Sequence, residues 1–174
     1  MADEIEFGTG GWRAIIADAF TRFNVERVAQ ALSDRIHDEN QQQRPVVIGY
    51  DQRFLSPEFA WWAAEVLAAN GLTVRIIDRP APTPMIMWTV RDLDCAYGMA
   101  VTASHNPATY NGLKVFTEGG RDAKVEITEP IQRRANSIGP SDIKRVHRAD
   151  ALRDGLVEVQ TSMNWYIDAI LDHV

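Results

Sequence analysis

Val46-Val47-Ile48-Gly49-Tyr50-Asp51-Gln52-Arg53-Phe54-Leu55-Ser56-Pro57-Glu58 is the stretch that decides the fold. Its first five residues form a short apolar run, the pattern of a strand buried on both faces. Ser56-Pro57-Glu58 then reads as a helix start: a capping hydroxyl, proline at the first helical position, and an acid near the positive end of the dipole. The helix carries Trp61, Trp62, Val66 and Leu67 and ends at Asn70-Gly71. Leu72 to Asp78 reads as a second buried strand. Two buried strands joined by a helix make a parallel crossover unit.

The same alternation continues on both sides. Asn24 is placed to cap a helix with the apolar stripe Val25, Val28, Ala29, Leu32 and Ile36, stopped by Arg44-Pro45. Thr83-Pro84 opens a short helix over Met85 to Arg91, and Cys95 to Val101 reads as a third strand. Asn111-Gly112 is a turn signal before a fourth strand, Leu113 to Phe116; Glu118-Gly119-Gly120 turns the chain again. Thr128-Glu129-Pro130 opens a helix reaching Ile138. Strands alternating with helices predict an α/β fold, a three-layer α/β/α sandwich around a mixed, mainly parallel sheet.

Composition narrows the function. With 174 residues, 45% hydrophobic content and 24% charged residues, the chain suits one globular domain rather than a disordered segment. Its 18 basic and 24 acidic residues give a net charge of −6, which offers no general attraction for nucleic acid. No apolar run is long enough for a membrane helix, and the acidic start Met1-Ala2-Asp3-Glu4 is not a secretory signal. One cysteine, Cys95, allows neither an intrachain disulfide nor a cysteine zinc site. The expected compartment is the cytoplasm.

Three polar segments lie where strands end, the region that binds ligands in open α/β sheets. Thr102-Ala103-Ser104-His105-Asn106-Pro107 sets a hydroxyl beside an imidazole on a turn that Asn106-Pro107 keeps out of a helix. Taken alone it is either an ordinary polar turn or a presented nucleophile. A serine hydrolase would need a G-x-S-x-G elbow, which the sequence lacks. Phe7-Gly8-Thr9-Gly10-Gly11-Trp12-Arg13 is either a glycine-rich hairpin or an anion cradle with Arg13 as a phosphate fork. Asp51 and Arg53 are either an ion pair bracing their loop or part of the cleft. Lys114 is either solvated or turned into the same cleft.

Together these segments resemble the α-D-phosphohexomutase superfamily, which includes phosphoglucomutases and phosphomannomutases. Thr102 to Pro107 is similar to its phosphoserine loop and Phe7 to Arg13 to its N-terminal motif. Gly49-Tyr50-Asp51-Gln52-Arg53 and Asn111-Gly112-Leu113-Lys114 match two further segments in order. Gly10 stands where the family usually has serine, Ala14 where it has glycine, and Leu55-Ser56 where it has paired serines.

The resemblance implies an enzyme that interconverts hexose 1-phosphate and hexose 6-phosphate through a phosphoserine at Ser104 and a hexose 1,6-bisphosphate intermediate. It implies catalytic roles for Ser104, His105, Lys114 and Arg13. Thr9, Gly10, Gly11, Asn106, Asp51 and Arg53 would bind substrate or shape the phosphate site. Mg²⁺ would be held by Ser104 through its phosphate, and its remaining ligands belong to a second domain. Hexose phosphate and the remaining domains of the same chain are the expected partners. The alternative is a non-catalytic phosphosugar-binding or regulatory module that kept the fold.

The C-terminal stretch bears on that question. Met163, Tyr166, Ile167, Ile170, Leu171 and Val174 fall at helical spacing. They form either a docked terminal helix or the start of a longer chain. The expectation adopted is a first domain over 1–160, with 161–174 starting a helix toward a second domain, and a 174-residue chain that alone does not turn over.

Overall fold

Residues along each central strand alternate between two apolar cores, and that alternation builds the three layers. In the computed structural model, which describes residues 4–8 and 10–172, a hairpin β1 (Phe7–Gly8) and β2 (Gly11–Ile15) precedes helix α1 (Arg22–Asp38). The crossover read from the sequence follows as β3 (Val46–Tyr50), α2 (Ser56–Ala69) and β4 (Val74–Ile77), with β3 and β4 parallel. Next come α3 (Thr83–Asp92), β5 (Tyr97–Val101), β6 (Tyr110–Thr117) and β7 (Arg121–Asp122). Helix α4 (Val125–Ser137), helix α5 (Arg148–Arg153), strand β8 (Val157–Gln160) and helix α6 (Met163–Leu171) complete the described chain.

Val46, Ile48, Tyr97, Met99, Val101, Leu113 and Val115 pack under α1, α2, α4 and α5. Val47, Ile77, Ala100 and Phe116 pack against α3 and α6 on the other face. This is the period-two alternation of a sheet covered on both sides. The strand order is β1-β2-β6-β5-β3-β4-β8, with β7 beside β6. The sheet is mixed as expected. Its parallel block is β5-β3-β4-β8, while β1, β2, β6 and β7 join through antiparallel pairs. The parallel and antiparallel portions are of similar extent, because β6 and its neighbours form a meander on one side of the crossover block.

Four local expectations are corrected. Helix α4 starts at Val125, so Thr128-Glu129-Pro130 lies within it rather than opening it. Thr21, not Asn24, caps α1 by accepting from Asn24 N–H at 3.3 Å. Asn24 instead donates to Ala19 O and accepts from Arg27 inside the first turn. Ser56 is the first residue of α2 rather than its cap; Leu55 precedes it in a left-handed conformation, φ 60°. The Ser56 hydroxyl donates to Asp51 Oδ1 at 2.8 Å instead. Asn111-Gly112 is not a turn but lies within β6, which starts earlier than the apolar residues alone suggest. A Cβ on Gly112 would sit 2.6 Å from both Thr102 O and Trp12 O, so this glycine serves close backbone approach rather than a bend.

Helix α6 forms where the C-terminal periodicity places it. Met163 and Tyr166 face the α3 core, with Tyr166 and Trp88 ring centroids 5.8 Å apart. Ile167, Ile170 and Leu171 are exposed. Val174 lies outside the described residues.

Candidate active site

Ser104 sits on the connection between β5 and β6, two neighbouring antiparallel strands. The loop leaves the carboxyl end of β5 beside the carboxyl end of β3, where Asp51 N–H donates to Val101 O at 3.1 Å. Ser104 is exposed and left-handed, with φ 55°. For a residue with a Cβ this conformation costs on the order of 1 kcal/mol, and surrounding bonds must hold it. Thr102 Oγ1 accepts from Ser104 N–H at 3.0 Å, and Asn106 N–H donates to Ala103 O at 3.0 Å. His105 Nδ1 lies 3.4 Å from Ser104 Oγ.

Arg53 gathers this loop. Its Nη1 donates to Pro107 O (2.9 Å) and Tyr110 O (3.0 Å), and its Nη2 to Ser104 O (2.9 Å) and Asn106 O (2.6 Å). The guanidinium fork suits this because it is planar and carries several donors in fixed directions. The peptide between Ser104 and His105 is trans. With the Ser104 carbonyl turned toward Arg53, the His105 N–H points the opposite way. The loop therefore offers the positive end of that peptide dipole on the side away from Arg53. Asp51 steadies the arginine: its Oδ1 accepts from Arg53 N–H at 2.9 Å, and its Oδ2 lies 3.4 Å from Arg53 Nε.

The second wall is the antiparallel pair β2–β6. Arg13 lies opposite Gly112, and Trp12 opposite Leu113. Leu113 faces the α1–α2 core, so strand alternation puts Arg13 and Lys114 together on the other face. Arg13 Nη1 donates to Asn106 Oδ1 at 3.0 Å, joining this wall to the serine loop. A methyl group at Gly10 would lie 3.7 Å from Arg13 Nη2 and 3.8 Å from Lys114 Nζ. The glycine turn is thus flanked by two cations. Gly11 has φ 123°, and a Cβ there would meet Leu113 O at 2.6 Å, so only glycine fits. Thr9 lies outside the described residues.

Ser104, His105, Asn106, Arg13, Lys114, Gly10, Gly11, Asp51 and Arg53 therefore converge, although they come from four distant segments. One residue escaped the sequence reading. Asp122 Oδ1 accepts from Lys114 Nζ at 3.2 Å. The signal was present, since a turn at Glu118-Gly119-Gly120 folds residues 121–122 back onto β6. The site can hold an anion between Arg13 and Lys114 beside a presented hydroxyl. It does not itself complete a metal site: among the described residues no three His, Cys, Asp or Glu side chains cluster to hold an ion. Among the same residues, no helix is long and apolar enough to cross a membrane.

Known proteins resemble this chain in sequence and in fold. Residues 4–141 match the model of the phosphoglucomutase/phosphomannomutase α/β/α domain I. The chain is 39% identical over 137 residues to a phosphoglucomutase of Staphylococcus saprophyticus, covering 77% of this chain and 25% of that protein. It is 34% identical over 139 residues to a phosphoglucomutase of Staphylococcus aureus RF122, covering 78% of this chain and 25% of that protein. The chain thus spans about a quarter of the length of the curated relatives it matches. A solved phosphomannomutase-like protein from Thermus thermophilus superposes with a TM-score of 0.86 at 30% identity, over 100% of this chain and 37% of its own. The open form of Paramecium parafusin shares the fold, with a TM-score of 0.79 at 18% identity over 99% of this chain and 36% of its own. A domain match over most of the chain, with the serine loop, the glycine hairpin and both basic residues converging on one face, makes this chain a member of the phosphoglucomutase/phosphomannomutase family.

Proposed function

We propose that the chain is the phosphoserine-bearing first domain of a phosphohexomutase that interconverts hexose 1-phosphate and hexose 6-phosphate. The observation that carries the reading is the exposed Ser104 hydroxyl, held left-handed on a loop whose carbonyls Arg53 gathers and whose Asn106 is tied to Arg13. In this reading phosphoserine 104 donates its phosphoryl group to a sugar hydroxyl. The P–Oγ bond breaks as the new P–O bond forms, and the proton lost by the sugar hydroxyl returns to Ser104 Oγ. The resulting hexose 1,6-bisphosphate reorients, and its other phosphate passes back to Ser104 by the reverse exchange.

Phosphoryl transfer asks mainly for positioning and charge neutralisation. Arg13 and Lys114 supply positive charge to the transferring group. His105, beside Oγ, and Lys114 hold and exchange the proton. Gly10 and Gly11, with Thr9 between Gly8 and Gly10 in sequence, let the substrate phosphate approach the backbone. Asn106 fixes Arg13, and Asp51 with Arg53 shapes the loop.

Mg²⁺ belongs to the proposal only as a counter-charge on the Ser104 phosphate. The described residues do not assemble the other ligands, and no step above runs through it. Those ligands, and the groups that choose the hexose, are proposed to lie in further domains of the same natural chain. The exposed Ile167, Ile170 and Leu171 face of α6 supports that arrangement. The domain proper is proposed to cover 1–160, with 161–174 leading onward, and the compartment to be the cytoplasm.

Intact-mass measurement of the protein from its native host, before and after hexose 1,6-bisphosphate, tests the reading. One phosphoryl group on wild type and none on Ser104→Ala is expected. Wild type that never carries phosphate would point instead to a non-catalytic phosphosugar-binding or regulatory module. The same spectrum reads the length of the natural chain.

A further inference from the structure

The Ser104 loop is held from both ends through side chains that touch no reacting atom. Asn111, the residue after the loop rejoins β6, is fully buried on the α1–α2 side of the sheet. Its Oδ1 accepts from Gly112 N–H at 2.8 Å. Its Nδ2 donates to Ser56 Oγ at 2.9 Å, and to Phe54 O at 3.3 Å. Ser56 is fully buried as well, and its hydroxyl passes the link on to Asp51 Oδ1 at 2.8 Å. Asp51 orients Arg53, and Arg53 holds the carbonyls of Ser104, Asn106, Pro107 and Tyr110. The circuit runs from the base of the loop, through the first turn of α2, back to the loop tip.

The relay takes the Ser56 hydroxyl away from the start of α2. A serine at the start of a helix ordinarily serves the helix itself by accepting a backbone N–H. Here that bond is forgone, the cap position falls to Leu55 in a left-handed conformation, and no side chain caps α2. The hydroxyl acts instead as acceptor from Asn111 and donor to Asp51, and both of its roles are fixed. Asn111 has an amide nitrogen that can only donate, so Ser56 Oγ accepts there and turns its own proton to Asp51 Oδ1. The direction of the whole relay is therefore determined, and the Asp51 oxygen that binds Ser56 also holds the Arg53 backbone N–H.

We infer that Ser56 and Asn111 are positioning residues, which fix the pose of the Ser104 loop through Asp51 and Arg53. The inference rests on the proposed role of Ser104 only for its functional meaning; the coupling itself is structural and separately measurable. Hydrogen exchange on the wild-type chain, Ser56→Ala and Ser56→Thr provides the test. The loop amides of Asn106 and Tyr110 are read against the sheet amides of Ile48 and Met99.

Ser56→Ala should speed exchange at the loop amides by about tenfold, the loss of one hydrogen bond's worth of local stability. The sheet amides should keep their rates, and Ser56→Thr, which retains the hydroxyl, should restore the loop. Unchanged loop rates in Ser56→Ala would overturn the inference. So would equal acceleration of loop and sheet, or a threonine variant as fast as alanine. Should Ser56→Ala fail to fold, Asp51→Asn is read by the same loop-against-sheet comparison. Failure of Ser104 to take phosphate in the mass measurement would sink the functional reading and leave this result standing on its own.

Discussion

Replacing Arg53 by methionine keeps most of the side-chain volume and removes every donor. Four carbonyl acceptors lose their partner at once. The bonds to Ser104 O and Pro107 O are exposed and water can replace them, so each is worth about 0.5 kcal/mol. Those to Asn106 O and Tyr110 O are partly buried and carry a charged donor, for about 1.5 kcal/mol each. Their sum is about 4 kcal/mol, and non-additivity within one fork reduces this to about 3 kcal/mol. Because Ser104 is held at φ 55°, release should let it relax toward the ordinary helical or extended regions.

A local loss of about 3 kcal/mol corresponds to about a hundredfold faster exchange of loop amides. Hydrogen exchange on Arg53→Met should show this at Asn106 and Tyr110, with the β3 and β5 ladders close to wild type. Arg53→Lys, which cannot present a planar fork, should recover less than half of the effect in free energy. Loop rates within threefold of wild type in Arg53→Met would refute the view that this guanidinium holds the loop.

Other outcomes follow from the same geometry. Gly112→Ala forces a Cβ against two backbone oxygens at 2.6 Å and should cost about 3 kcal/mol, seen as a lower urea midpoint at unchanged slope. Arg13→Met and Lys114→Met should each slow phosphoryl gain at Ser104 by about a hundredfold or more without changing the far-ultraviolet circular dichroism, measured by quenched-flow mass spectrometry. Burial pushes the Cys95 thiol up to about 12 from an ordinary 9.0, so it should resist thiol reagents at neutral pH until the chain unfolds. As pH rises above 9.0 the unfolded chain ionises this thiol first, and stability should fall by at most about 1.4 kcal/mol per pH unit until about 12. Urea titrations of wild type and Cys95→Ala across that window should show the slope shrinking in the variant.

The crossover β3–α2–β4 was legible because each part carries its own signal: an apolar run, a proline near the helix start, and an Asn-Gly stop. The glycine-rich segment Phe7 to Arg13 left a hairpin and an anion cradle open, and the pairing of β1 with β2 makes it a hairpin. Asn111-Gly112 misled, because the pair that favours a tight turn is used here for a buried side-chain bond and a backbone contact. The first depends on Phe54 before α2 and Ser56 at its start, the second on Trp12 and Thr102, none of them neighbours in sequence. Ser56 looked like a cap since the residue type fits one, but a carboxylate five residues earlier competes for its hydroxyl. The sequence left Arg53 as either an ion pair with Asp51 or part of the cleft, and the ion pair forms. The principal partners of Arg53 are main-chain carbonyls 51 to 57 residues away, which no side-chain pattern encodes. Strand β8 escaped notice because its four residues include only two apolar ones, and Val159 is exposed.

The antiparallel pairing of β5 with β6 fixes both feet of the serine loop. Val101 is paired with Leu113, and Ala100 with Lys114, so both feet of the loop are pinned in register. One extra or missing residue between them, if taken up by sliding β6, would swap the faces of Leu113 and Lys114. A lysine would then enter the core, and a leucine would face the anion. Any change in the length of this loop therefore has to be absorbed within the loop itself, with the β5–β6 register kept, and a different loop grafted onto the scaffold inherits the same fixed span.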